Sequence, residues 1–156
     1  MSEPLVAGIN HVAFVTADLD RLTSFYKRVF DADVALDFPG ELRHAMIEIG
    51  PNCALHAFEF PNSEWAKPGQ LMFRRGRLDH IAINATSMRA WETIRDRLIA
   101  EGAAEEGGTT DFGAMLSFFF TDPDGMEAEV CIMKEGKTLA DGREPEGFQP
   151  RHPLPE

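Results

Sequence analysis

The sequence lacks any apolar run long enough to cross a membrane. A membrane-spanning helix needs about 20 consecutive apolar residues, and no run in this chain of 156 residues approaches that length. The opening segment, MSEPLVAGIN, also lacks the basic-then-apolar order of a secretory signal. We therefore expect a cytoplasmic protein without a membrane partner.

Positively charged residues are also scarce. The chain carries 15 lysine and arginine residues against 26 aspartate and glutamate residues, which gives a formal net charge of -11. Such a surface repels the phosphate backbone of nucleic acids and the headgroups of anionic membranes. The charge balance disfavours nucleic acid as a partner and favours a small molecule.

Cysteine is rare, which argues against a fold held together by disulfides. The two cysteines, Cys53 and Cys131, each lie in a strand-like run, and we expect reduced core thiols there. What the chain does have is apolar content, since 44% of its residues are hydrophobic. That content is enough for the core of one domain or of two small fused modules.

The stretch from Leu116 to Met133, LSFFFTDPDGMEAEVCIM, predicts a β-hairpin. Two apolar runs flank Asp-Pro-Asp-Gly, in which proline presets one turn dihedral and glycine accepts a positive one. In the second run Glu127, Glu129 and Cys131 project to one face, because strand side chains alternate with period two. A carboxylate in such a strand is costly to desolvate, so Glu129 must be paired, hydrated or bound to a cation.

The first part of the chain predicts one strand, one helix and three further strands. The helix covers Leu19–Asp31, with Asp18 as its N-cap and apolar residues at three- and four-residue spacing. This order defines a βαβββ module. The four strands are expected at Ile9–Thr16, Ala32–Asp37, Arg43–Ile49 and Cys53–Phe60.

The same pattern then begins again. HVAFVTADLDRLTSFYKRVF aligns with HIAINATSMRAWETIRDRLI at an offset of 69 residues, which places His11 on His80. Ser87 is expected to cap the second helix and Gly102 to end it. We predict an α+β fold of two tandem βαβββ modules, at residues 1–60 and 77–134. The last three strands are expected at Ala103–Thr109, Met115–Thr121 and Glu127–Met133.

Two polar segments flank the second module, a linker at 61–76 and a Pro/Gly-rich tail at 135–156. Near the end of the linker, Arg74, Arg75 and Arg77 form either a solvated connection or a clamp for an anionic substrate group. The tail cannot bury enough apolar surface to fold alone. We expect it to wrap over a neighbour or to stay mobile, with Phe148 and Leu154 as anchors.

Four polar side chains recur at equivalent places on one face of the two modules. His11 and His80 lie in the first strand of each module and point away from the helix. His56 and Glu129 occupy corresponding places in the fourth strands, although His56 could instead only line the cavity. Three imidazoles and one carboxylate suit a divalent zinc, nickel, iron, manganese or cobalt ion.

Other residues on the same face are alternative ligands or line the cavity. His44 faces this side from the third strand of the first module. Glu127 points the same way as Glu129 and is the alternative carboxylate ligand. Met46, Phe58 and Phe119 provide an apolar wall, which favours an aromatic or aliphatic substrate portion or else forms part of an interface.

These motifs resemble the vicinal oxygen chelate superfamily of glyoxalases, bleomycin-resistance proteins and extradiol dioxygenases. The resemblance rests on His11 in NHVAF, the helix ADLDRLTSFYKRVF, His80 in LDHIAI and the segment FFTDPDGMEAEV. It implies a cup-shaped mixed sheet with the helices on its outer face, one divalent metal ion in the cup, and a homodimer. His11, His80 and Glu129 match ligand positions of that superfamily, and His56 occupies a position that varies among relatives.

A metal ion with open positions implies enolate chemistry on a small molecule. The cation would stabilise an enolate as a proton leaves the adjacent carbon, and Glu129 is the candidate general base as well as a ligand. Lyase, isomerase and epimerase reactions of the glyoxalase type all fit. Extradiol ring cleavage is an alternative, but Phe119 stands where those relatives carry an acid-base tyrosine. A metal-free binding protein of the bleomycin-resistance kind is the second alternative.

Overall fold

The structure is a computed structural model that describes residues 5, 8–64, 66 and 78–147. The chain divides into two compact units, residues 1–66 and 67–156. Each unit contains a four-stranded mixed sheet and one long helix, so the predicted α+β fold of two βαβββ modules is confirmed.

The first unit contains four strands and one helix in the predicted order. Its sheet has the order β1-β4-β3-β2, in which β1 runs parallel to β4 and the other pairs are antiparallel. The elements are β1 His11–Thr16, α1 Leu19–Phe30, β2 Asp33–Phe38, β3 His44–Gly50 and β4 Cys53–Glu59.

The second unit repeats this arrangement. Its sheet has the order β5-β8-β7-β6, again with one parallel pair between the first and last strands of the module. A short 3-10 helix, Leu139–Asp141, follows the sheet. The elements are β5 Ile81–Asn84, α2 Met88–Ala100, β6 Thr109–Asp111, β7 Met115–Thr121 and β8 Glu127–Met133.

Side-chain caps fix where both helices begin. The Asp18 carboxylate accepts a hydrogen bond from the Arg21 amide at 2.9 Å, and the Ser87 hydroxyl accepts one from the Ala90 amide at 3.1 Å. Each bond satisfies a backbone donor that has no partner within the helix. Both predicted caps are confirmed, and the helix starts set the residue at which each first strand must end.

Each helix buries one face against its own sheet. In α1 this face consists of Leu19, Leu22, Phe25, Tyr26 and Val29. In α2 it includes Trp91 and Leu98, and the Trp91 indole donates a hydrogen bond to the Val130 carbonyl at 3.0 Å. The opposite face of each sheet is therefore the one that carries the candidate ligands.

The strand predicted at Ala103–Thr109 is wrong. The backbone there turns rather than extends, and the strand at this place in the module is the shorter β6. Gly102 adopts a φ of 70°, and the amides of Gly102 and Ala103 bond back to the carbonyls of Ile99 and Leu98. This helix-ending motif and the following turn through Glu105 delay the strand by six residues.

The hairpin between β7 and β8 is confirmed with its predicted strand bounds. The Asp122 carboxylate accepts hydrogen bonds from the amides of Asp124 and Met126, each at 2.9 Å. Gly125 takes the positive φ of 83° that the turn requires. The turn thus fixes the register that sets which β8 residues lie on the ligand face.

Residues 134–147 pack against their own unit. The Lys134 ammonium contacts both carboxylate oxygens of Asp111 at 2.7 Å, and the Arg143 amide donates to the Phe112 carbonyl at 2.8 Å. Arg143 thus ties this part of the tail to its own unit, and wrapping over a neighbour stays a prediction. The proposed anchors Phe148 and Leu154 lie outside the described residues, as do Arg74, Arg75 and Arg77.

Neither described helix has the length and apolar content that a membrane crossing demands.

Candidate metal centre

The strand register places the candidate ligands at equivalent positions of the two units. In the first unit Ala13, two residues after His11, pairs with His56 in the parallel register. In the second unit Ala82, two residues after His80, pairs with Glu129. The repeat seen in the sequence is therefore a repeat in sheet register, and His56 is the counterpart of Glu129.

Three imidazoles cluster on the open face of the first unit. The rings of His11 and His56 meet edge to face with their centroids 5.5 Å apart. His44, predicted to face the same side, joins this cluster with its Nδ1 2.9 Å from His56 Nε2. Burial, with the neighbouring His44 and His11, lowers the pKa of His56, which favours the neutral imidazole that a metal ion binds.

The His11 ring is held by its preceding residue. Its Nδ1 lies 2.9 Å from the Asn10 side-chain oxygen. With a hydrogen on Nδ1 as the donor, the lone pair of the ring is on Nε2. This is the arrangement usual for a metal-binding histidine, in which the second nitrogen donates to a fixed oxygen.

His80 is held in the same way in the second unit. Its Nδ1 lies 2.9 Å from Asp79 Oδ2, and its Nε2 lies 3.5 Å from Glu129 Oε2. The interaction with Glu129, against the opposing effect of burial and with the help of Asp79, raises the pKa of His80 to about 9. The Nε2 atom and the carboxylate thus face each other at ion-pair distance.

Glu129 is a buried carboxylate with protein partners on both oxygens. It is only 5% exposed, and its Oε1 accepts a hydrogen bond from the Cys131 thiol at 2.7 Å. Burial alone would raise the pKa of Glu129, but His80 and the Cys131 thiol together lower it. The Ser117 hydroxyl is close enough to lower this pKa further, although its buried oxygen forms no hydrogen bond of standard geometry within the described residues.

The rival carboxylate, Glu127, is also buried, at 2% exposure. It lies on the same face of β8 as Glu129 but in the last pair of the β7–β8 ladder, beside Thr121, two residues before Glu129. The ion pair that His80 makes with a β8 residue goes to Glu129. The second unit therefore brings together His80 and Glu129, the pair that the sequence indicated.

The available donor atoms fit a divalent cation, with imidazole nitrogen and carboxylate oxygen both suited to first-row metals. His11 begins β1, whereas His80, expected in the first strand of its module, lies one residue before β5. Both histidines have Nδ1 engaged by the preceding residue, which leaves Nε2 as the nitrogen available to a cation. Within the residues described, no group of three or more His, Cys, Asp or Glu side chains is already assembled as a metal site. The four-ligand set of His11, His56, His80 and Glu129 stays a prediction.

The predicted substrate-binding residues lie beside these ligands in each unit. Met46 pairs with His56 in the sheet register, and the Phe58 ring lies 4.3 Å from that of His56. Phe119 pairs with Glu129 and contacts the His80 ring edge to face at 5.8 Å. Arg75, the fourth predicted contact, lies outside the described residues.

Sequence reasoning missed three residues that hold the ligands. Asn10 and Asp79 each precede a histidine, and the same 69-residue offset aligns them, so the repeat contained a signal for them. Cys131 was placed on the ligand face by strand alternation but was interpreted only as a core thiol. Its contact with the glutamate two residues earlier follows from that shared face.

The motifs, the fold and the register are those of one known superfamily. The model of the Glyoxalase/Bleomycin resistance protein/Dioxygenase superfamily matches residues 8–130. The chain belongs to this superfamily, as its sequence motifs predicted. No curated protein matches the chain significantly.

Several solved structures share the fold. A glyoxylase/bleomycin resistance protein/dioxygenase domain from Frankia sp. EAN1pec is 23% identical with a TM-score of 0.69, over 84% of this chain and 95% of that one. The fosfomycin resistance protein FosX from Listeria monocytogenes, with Mn(II) and sulfate, is 18% identical with a TM-score of 0.61, over 88% and 98%. Lactoylglutathione lyase from Agrobacterium tumefaciens is 23% identical with a TM-score of 0.59, over 83% and 96%. These identities show a shared fold.

Proposed function

We propose that this protein is a divalent-metal-dependent enzyme of the glyoxalase type, acting on a small molecule through a stabilised enolate. The observation that carries the proposal is the His80–Glu129 pair, in which Nε2 and Oε2 face each other at 3.5 Å while Asp79 holds the other ring nitrogen. The pair matches what a metal-binding histidine and carboxylate need. His11 and His56 complete the proposed ligand set from the first unit.

The neighbouring structures support a metal ion and a small-molecule substrate. One form of the Listeria FosX protein holds Mn(II) and sulfate, and a glutamate-to-glutamine variant of that protein holds Mn(II) and 1S,2S-dihydroxypropylphosphonic acid. The Agrobacterium neighbour carries the name of a lyase that acts on a glutathione conjugate. We propose manganese, iron, cobalt, nickel or zinc as the ion of this chain.

The proposed chemistry assigns one task to each part of the chain. A bound divalent cation supplies the Lewis acidity that stabilises negative charge on a substrate oxygen. His11 and His80 would hold the cation through Nε2, and Glu129 Oε2, serving in turn as ligand and as base, would accept the proton that leaves the substrate carbon. Met46, Phe58 and Phe119 exclude water from that carbon and contact its apolar substituents, while Arg75 binds an anionic group. Transfer of the proton back to carbon gives isomerisation or epimerisation.

Ring cleavage of the extradiol type is the less favoured enzyme function. The residue that contacts the His80 ring from β7 is Phe119, whose side chain has no proton to transfer. The chain's one tyrosine, Tyr26, is buried in the core face of α1. A metal-free binding protein is the remaining alternative, and the experiment below distinguishes it from an enzyme.

Metal analysis of protein purified without a histidine tag tests the proposal. We expect wild-type protein to retain a divalent cation through gel filtration and His80→Ala to lose it. The loaded protein is then assayed against dicarbonyl-thiol adducts, epimerisable acyl thioesters and catechols, and we expect turnover of a substrate from the first two classes. Equal metal content in both proteins, or turnover of catechols alone, would overturn the proposal.

The cytoplasmic location and the homodimer expected from the sequence belong to the same proposal. The net charge of -11 supports partners other than nucleic acids and anionic membranes. Sedimentation of the purified protein at two concentrations measures the oligomeric state, and a monomer at both would remove the homodimer from the proposal.

A further inference from the structure

Cys131 lies next to the proposed carboxylate ligand on the same face of β8. Its thiol donates a hydrogen bond to Glu129 Oε1 at 2.7 Å, and the second oxygen, Oε2, is the atom that faces His80 Nε2. The two oxygens of one carboxylate therefore have different partners. Rotation of the carboxylate would break both interactions at once.

The surroundings of this contact are closed to water. Cys131 is 3% exposed, and its register partner on β7 is Ser117, which is fully buried. The thiol donates to Oε1, while the Ser117 oxygen makes no hydrogen bond of standard geometry among the described residues. A buried carboxylate oxygen without a donor carries a free-energy cost. The thiol removes that cost for Oε1, whereas Oε2 faces His80.

The equivalent position in the first unit carries a different residue. Phe58 pairs with His44 as Cys131 pairs with Ser117, and Phe58 contacts its neighbouring His56 through ring packing alone. The hydrogen-bond donor is thus found in the unit whose fourth strand supplies a carboxylate.

We infer that Cys131 is a positioning residue for Glu129. Its thiol holds Oε1 and thereby presents Oε2 as the oxygen that serves first the cation and then the substrate proton. This inference rests on the proposed function, because it assigns a task only if Glu129 serves a metal-dependent reaction. Cys131 itself neither contacts the cation nor reacts.

Cobalt binding by three single variants tests the inference. Titration of metal-free protein with Co²⁺, followed by calorimetry and by visible absorption, gives the affinity and the ligand type. We expect Cys131→Ala to bind Co²⁺ about tenfold more weakly, as is usual when an outer hydrogen bond to a ligand is lost. Cys131→Ser keeps a donor and restores affinity close to that of wild type. Cys53→Ala removes the chain's other cysteine and serves as the matched control, without an effect.

A second measurement leaves Cys131 unchanged and so does not depend on how its variants fold. The infrared S–H stretch of the Cys53→Ala protein reports the remaining thiol, and a hydrogen bond to a carboxylate lowers its frequency. We expect that frequency to rise when Glu129→Ala is added. An unchanged frequency would overturn the inference.

The outcomes separate this inference from the function on which it rests. Co²⁺ binding that requires His80 but is equal in Cys131→Ala and wild type would overturn the inference alone. A thiolate-to-cobalt charge-transfer band in wild type would also overturn it, because Cys131 would then be a ligand. Absence of Co²⁺ binding in wild type would overturn both the proposed function and this inference.

Discussion

Asp79 and Asn10 determine which nitrogen each candidate histidine offers. Both lie immediately before a histidine, and both place an oxygen 2.9 Å from its Nδ1. A ring fixed in this way loses less rotational freedom when it binds a cation, and its basicity increases if the acceptor is a carboxylate. The second unit has the carboxylate, so the hydrogen bond to His80 should have the larger effect on metal affinity.

The first prediction concerns Asp79. Asp79→Ala should weaken Mn²⁺ or Co²⁺ binding about 10- to 100-fold, the usual effect of removing such a partner. Asp79→Asn keeps an acceptor oxygen, so its metal affinity should fall between those of Asp79→Ala and wild type. Calorimetric titration measures the affinities, and Asp96→Ala, which removes an exposed carboxylate paired with Arg95 on α2, is the control. Equal affinities for Asp79→Ala and wild type would contradict this role.

The second prediction concerns pH and the metal-free protein. His80 has a pKa raised from 6.5 to about 9, so its contribution to stability is complete below pH 6.5 and is lost as the pH rises through 9. Glu129 has a pKa below 4.5, so its contribution is present above that pH and is lost as the pH falls through the lowered value. The pair therefore stabilises the fold most between pH 4.5 and 6.5.

Urea unfolding with a chelator present measures this pH dependence. The difference in free energy of unfolding between wild type and His80→Ala should be largest between pH 4.5 and 6.5. It should shrink as the pH rises from 6.5 to 9. A difference that stays constant over that interval would show that the two side chains do not form an ion pair in the metal-free protein.

At the residue scale, strand alternation predicted the face of each candidate ligand but not its partners. Alternation with period two follows from backbone geometry alone, so the sequence was sufficient to put Glu129 and Cys131 on one face. The hydrogen bond between them depends on side-chain rotamers and on burial, which strand alternation does not determine. His44 was predicted only to face the same side, and its contact with His56 depends on the register between β3 and β4.

At the scale of elements, turn and cap residues decided where sequence prediction succeeded. Asp18 and Ser87 marked the helix starts because their short polar side chains bond to free backbone amides. The strand predicted at Ala103–Thr109 failed because its sequence has no alternation of apolar and polar residues and contains two adjacent glycines. Local hydrogen bonds of the helix end and of the following turn set the backbone there.

The third prediction concerns how the segment after β8 docks on the β6–β7 hairpin. Gly113 has a φ of 77°, and a Cβ at that position would lie 2.8 Å from Arg143 Cγ. Gly113→Ala should therefore destabilise the protein by about 1–3 kcal/mol, because the side chain is strained in that region and displaces Arg143. Thermal and urea unfolding measure the change in stability.

Gly107→Ala is the matched control for this prediction. Gly107 lies in the turn before β6, has no positive φ, and would place its Cβ in open space. We expect this variant to be as stable as wild type or slightly more stable, since alanine reduces the freedom of the unfolded chain. Equal destabilisation of the two variants would show that the contact with Arg143 is not the cause.

At the scale of the whole molecule, the internal repeat predicted the fold because it determines register as well as element order. Ala13 with His56 and Ala82 with Glu129 are the same pairing in two units. The repeat carries less information about chemistry. It treats His56 and Glu129 as equivalent, although one is a neutral base among imidazoles and the other an anion held by a thiol and a histidine.

The central claim is that His11, His80 and Glu129 bind one divalent cation. Anomalous diffraction from crystals of the full chain grown with Co²⁺ tests it directly, because the anomalous peak locates the ion independently of any assumed ligand. We predict one ion per chain, with His11 Nε2, His80 Nε2 and Glu129 Oε2 among its nearest atoms. An ion bound elsewhere, or one that contacts ligands of a single unit only, would contradict the account.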